Sequence, residues 1–83
     1  MVTLTIDHRI VAYAIAANSG AGATVAERDK KFVVSGPRLV VLRRSVESAA
    51  GYRLPDADWQ AIIQQTQQAG HECAFDNAQL IVP

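Results

Sequence analysis

The first strand announces itself by alternation. In Val2-Thr3-Leu4-Thr5-Ile6 the three apolar side chains fall on one face and the threonines on the other, the pattern of a half-buried strand. Asp7-His8-Arg9 interrupts it. From Ile10 to Ala17 nearly every position is apolar, and two periods fit. At helical spacing Ile10, Ala14 and Ala17 share a face with Tyr13, and the run of alanines favours a helix. At strand spacing Val11, Tyr13 and Ile15 alternate with small residues, and Asp7-His8 becomes a hairpin turn. The helix is the preferred reading. Asn18 to Ala23 is a small-residue connection, and Thr24 to Lys30 a link or short edge piece.

Residues 30–44 carry two apolar runs around Gly36-Pro37, with Lys30-Lys31 and Arg43-Arg44 at the outer ends. They predict a hairpin of Phe32–Ser35 with Arg38–Arg43. Phe32 and Val34 oppose Val33, and Leu39 and Val41 oppose Val40 and Leu42, so both strands are apolar on both faces. Such strands are normally covered on two sides. Ser45 is placed to cap a short helix that runs to Ala50 and stops at Gly51.

The clearest helix spans 56–69. Asp56 and Asp58 suit its N-terminus, Gly70 ends it, and Trp59, Ile62, Ile63, Thr66 and Ala69 form one continuous stripe. Trp59 is the expected core anchor. His71–Phe75 and Ala78–Val82 then read as a closing hairpin turning at Asp76-Asn77. These elements predict one α+β domain over 1–83: antiparallel hairpins, about four or five strands, packed on one or two helices.

With 83 residues the chain buries only roughly 60–65% of its unfolded surface, so its core is modest. Basic and acidic residues balance at eight each, but not locally. Glu27 to Arg44 holds six basic and two acidic residues, whereas Ser45 to Pro83 holds one basic and five acidic. A nucleic-acid-binding domain usually shows a basic excess throughout. No segment is long and apolar enough to span a bilayer, and the N-terminus lacks the basic start and apolar stretch of a signal peptide. The single cysteine, Cys73, cannot form an internal disulfide, which fits a reducing, cytoplasmic setting.

Three groups are candidate partner-binding residues. Gln60, Gln64, Gln67 and Gln68, with Gln65, give the 56–69 helix an uncharged polar face that can hydrogen-bond a partner with little desolvation; glutamine is also simply a good helix former on a surface. Lys30, Lys31, Arg38, Arg43 and Arg44 form a basic cluster in which Lys30-Lys31 and Arg43-Arg44 would meet at the outer end of the 30–44 hairpin, to grip phosphate or carboxylate or to protect a strand edge. Tyr52 and Arg53 have the composition favoured at interface centres, or form a loop packed down by its tyrosine. Gly20-Ala21-Gly22 lacks the lysine and hydroxyl residue of a phosphate loop. His71 and Cys73 would share a strand face, but a thiolate–imidazolium pair or a metal site lacks further ligands nearby.

The sequence therefore predicts a non-enzymatic protein-interaction module needing no cofactor and no metal: a regulator or inhibitor docking on a larger protein or assembly. Its size suits an accessory protein of phage or plasmid type. A second copy of the chain is a further candidate partner. The alternative is a nucleic-acid-associated domain using the basic 30–44 segment, with binding that weakens steeply in salt.

Overall fold

The computed structural model describes residues 1–76. Their order is β1 (Val2–Ile6), α1 (Arg9–Ser19), β2 (Thr24–Arg28), β3 (Lys31–Gly36), β4 (Leu39–Leu42), α2 (Arg43–Ala50), α3 (Asp56–Ala69), a 3₁₀ turn (Gly70–Glu72) and β5 (Cys73–Asp76). The expected α+β class holds, with three α-helices and five strands among the described residues. The second arm of the expected closing hairpin, Ala78–Val82, lies outside them.

The strands form two sheets: antiparallel β1-β3-β2 and parallel β4-β5. β3 therefore does not pair with β4, and the hairpin expected over 30–44 is corrected. The turn residues explain why. A tight type I′ hairpin turn needs positive φ at both central residues, and Pro37 is locked near −65°. The real turn is one step earlier, at Asp29 and Lys30, whose φ values are 53° and 64°. It joins β2 to β3, making the anticipated edge piece at 24–30 a regular edge strand.

Past Gly36 the chain leaves the sheet at a crowded place. A Cβ on Gly36 would stand 3.2 Å from both the Ala23 Cα and the Leu39 Cδ2. Glycine is thus favoured here for close approach rather than for φ, since a Cβ would make these neighbours give by a few tenths of an ångström. β4 then binds β5 through the long α2–α3 crossover that parallel strands require.

β1 behaves as its alternation predicts: Val2, Leu4 and Ile6 are buried, and Thr3 and Thr5 exposed. In register these three face Gly36, Val34 and Phe32, so one sheet face is apolar and packed beneath the helices. α3 runs antiparallel along the β1 edge. Its Asp58 Oδ2 meets His8 Nε2 at 2.9 Å, and about two turns later the Gln65 amide reaches Thr5. Trp59, Ile62, Ile63 and Thr66 are its buried stripe, as the period predicts.

Two helix details differ from expectation. α2 begins at Arg43 rather than after Ser45, and no side chain caps it. Gly51 does stop it, in the left-handed region at φ 83°, with its N–H donating to Glu47 O. At the end of α1, Ser19 Oγ donates to Ile15 O and accepts from Val40 N at 2.9 Å. One hydroxyl thereby ties the helix end to β4.

Candidate interaction surfaces

α1 is apolar on two sides. Val11, Ala12, Ala14 and Ile15 are buried. Ile10, Tyr13 and Ala17 form the outward row at i, i+3 and i+7, with Ile10 53% and Tyr13 51% exposed. The face that spacing assigned to Ile10, Ala14, Ala17 and Tyr13 is therefore split, and only Ala14 of the four is buried. A helix with apolar residues all round leaves the choice of face to packing. Here Val11 and Ile15 supply the volume, and Ala12 and Ala14 allow close approach. The Arg9 guanidinium carbon lies 5.5 Å from the Tyr13 ring centroid, giving the row a cationic rim.

The basic cluster does not assemble as the sequence suggested. Lys30 occupies the β2–β3 turn, and Lys31 at the same tip pairs with Asp7. That ammonium, by hydrogen bond and by charge, holds the Asp7 carboxyl below its ordinary value. Arg38 is exposed between β3 and β4, and Arg44 is exposed on α2.

Arg43 is an interior residue, 8% exposed. Its Nη2 donates to Leu54 O at 3.0 Å and to Asp56 Oδ1 at 2.8 Å, and its Nε to Glu47 Oε2 at 3.3 Å. Leu54 N donates to the same Glu47 oxygen at 2.7 Å. Burial works against the charge, but the hydrogen bonds to Asp56 and Glu47 outweigh it and hold the guanidinium above its ordinary value. Arg43 joins α2 to the start of α3 and fixes the loop that presents the exposed Tyr52 and Arg53.

Gln60, Gln64, Gln67 and Gln68 are exposed on α3. Gln65, bordering the buried stripe, is different: its Oε1 accepts from Thr5 N and its Nε2 donates to Thr5 O, both at 2.8 Å. The amide side chain reads the strand edge as another strand would. Beside it, Thr3, Gln65, Gln68 and Glu72 line a polar groove of about 240 Å³.

His71 sits in the 3₁₀ turn and not on the strand with Cys73, so the expected shared strand face is absent. Cys73 is buried, and burial pushes its thiol above the ordinary value. The fold favours the neutral thiol; its contribution is complete below pH 9.0, the ordinary value, and is lost as pH rises beyond it. Cys73 is expected to react with a thiol reagent only after denaturation. Reaction in native buffer at the rate of an unstructured thiol would show that β5 is not held. Among the described residues no group of three His, Cys, Asp or Glu is placed to hold a metal ion, and no helix is long and apolar enough to cross a membrane.

No family model matches the chain, and neither a curated protein nor a solved structure matches it significantly.

Proposed function

We propose that the chain is a small non-enzymatic interaction module, a regulator or inhibitor that docks on a larger protein or assembly through the outward face of α1. The observation that carries this reading is the solvent-facing row of Ile10, Tyr13 and Ala17 on a helix whose opposite side is already buried. Fully burying a large apolar side chain contributes roughly 1.5–3 kcal/mol, and about half of that is still available at Ile10 and at Tyr13. An aromatic residue with an arginine over its ring is also the composition enriched at interface centres. The exposed Tyr52-Arg53 loop, fixed by Arg43, is a second contact on the same principle.

The test compares wild type with the double variant Ile10→Glu, Tyr13→Glu as bait in lysate of the native host, with and without nuclease. Because both side chains point outward, the variant is expected to keep its far-UV circular dichroism spectrum and lose a stoichiometric protein partner. Partner capture unchanged in the variant refutes docking through α1. Capture that requires intact nucleic acid and falls steeply with salt would instead assign binding to exposed basic residues such as Arg38 and Arg44.

A further inference from the structure

We infer that β2 is a self-association edge: two copies of the chain pair their β2 strands antiparallel about a two-fold axis at Ala26, forming a continuous six-stranded sheet.

The phase of the backbone follows from one side chain. In an antiparallel ladder the N–H and C=O of one residue point the same way, and those of the next residue point oppositely. Gln65 bonds both groups of Thr5 from outside the sheet, so Thr3 and Thr5 face outward and Val2, Leu4 and Ile6 face β3. Phe32, Val34 and Gly36 are then committed to β1, leaving Lys31, Val33 and Ser35 for β2. Those three meet Arg28, Ala26 and Thr24. The N–H and C=O of Val25 and Glu27 are left facing away from the sheet.

The two edges are treated differently. The β1 edge is closed by α3 and the Gln65 amide. β2 contains no proline, its ladder runs in unbroken register from Thr24 to Arg28, and no hydrogen bond among the described residues engages its outer groups. Among the described residues it thus has no proline, bulge or cover of the kind that usually blocks edge pairing.

Two-fold axes at the three central residues of β2, Val25, Ala26 and Glu27, suit this phase, and the surroundings choose among them. An axis at Glu27 sets that carboxylate against itself, which is repulsive. An axis at Val25 needs the N–H of Ala23, already donated to Gly20 O at 3.2 Å. An axis at Ala26 places Val25 opposite Glu27 of the second copy, and Glu27 opposite Val25. All four outward groups of each strand segment are then paired, and no like charges oppose. The closest backbone approach, about 4.5 Å between Cα atoms, falls on the small side chain of Ala26. An axis normal to the sheet also keeps both α1 helices on the same face.

The test is a cross-link. In a Cys73→Ala background, Ala26→Cys brings two thiols together at a separation a disulfide spans. Under mild oxidation it is expected to form covalent dimer ~10-fold or more faster than Thr3→Cys, an exposed control on the closed edge. The wild-type chain is expected at twice its mass of 8.9 kDa in sedimentation equilibrium. Glu27→Pro should return it to monomer with its spectrum intact, because that N–H serves no internal ladder bond. A monomeric wild type, equal cross-linking at both sites, or a doubled mass that survives Glu27→Pro overturns the proposal.

Discussion

Trp59→Ala is expected to remove a large part of the chain's folding stability. Trp59 is fully buried and is the largest such side chain in the described residues. It fixes the first turn of α3 against the core, and the Arg43 guanidinium carbon lies 5.8 Å from its ring centroid. Truncating a buried tryptophan costs about 3–5 kcal/mol, whereas a chain of this length has a total stability of roughly 4–12 kcal/mol. At about 4–8 °C per kcal/mol, the midpoint should fall by roughly 12–40 °C. Trp59→Phe separates ring from indole N–H. That N–H is buried without a partner among the described residues, a state that costs about 1–3 kcal/mol. Losing it offsets much of the void left by the smaller ring, so the phenylalanine variant should stay within about 1.5 kcal/mol of wild type. Urea titrations followed by circular dichroism measure both. An alanine variant within 1 kcal/mol of wild type, on the order of a surface change, would show that α3 does not depend on this anchor.

The residues that were legible are those whose pattern admits one period. β1 alternates without exception, and the Trp59–Thr66 stripe fits only a helix, so both were readable with their buried faces. α1 was readable as an element but not as an orientation, because alanine and isoleucine occupy both sides. Its outward Ile10 and Tyr13 were therefore missed as a surface: apolar residues are assigned to a core first. The β2–β3 hairpin was hidden because Asp29 and Lys30 adopt positive φ without the glycine or asparagine that normally signals it. Gly36-Pro37 supplied a turn signal at a place where the chain instead changes sheets. Arg43 reads as surface in the sequence because arginine usually is. Glu47 four residues on was the available clue to an intrahelical partner. Gln65 reads as one of a run of exposed glutamines, although its position three residues after Ile62 puts it beside the buried stripe.

Arg43→Ala and Glu47→Ala are expected to be the next most damaging changes, each at about 2–4 kcal/mol. Removing one member of a buried ion pair leaves the other charged and desolvated, which costs about 3–5 kcal/mol when both are fully enclosed. Here the side chains of Arg43 and Glu47 are 9% and 14% exposed, so most of that penalty applies. Arg43→Ala strands the Leu54 carbonyl as well as the Glu47 carboxylate, and Glu47→Ala strands the Leu54 N–H. Asp56 is the internal control. It also bonds Arg43, at 2.8 Å, but its side chain is 77% exposed, and solvent screens such a pair to about 1 kcal/mol or less. Asp56→Asn should therefore be nearly neutral, and Arg43→Met with Glu47→Leu should cost less than the two alanine changes added together. The consequence for binding lies in the loop. With either partner gone, Leu54 loses one of its two tethers, and hydrogen exchange at its amide should quicken most in Glu47→Ala, which removes the acceptor itself, loosening the exposed Tyr52 and Arg53. Equal losses for Asp56→Asn and Arg43→Ala would mean that the exposed pair, not the enclosed one, holds α2 to α3.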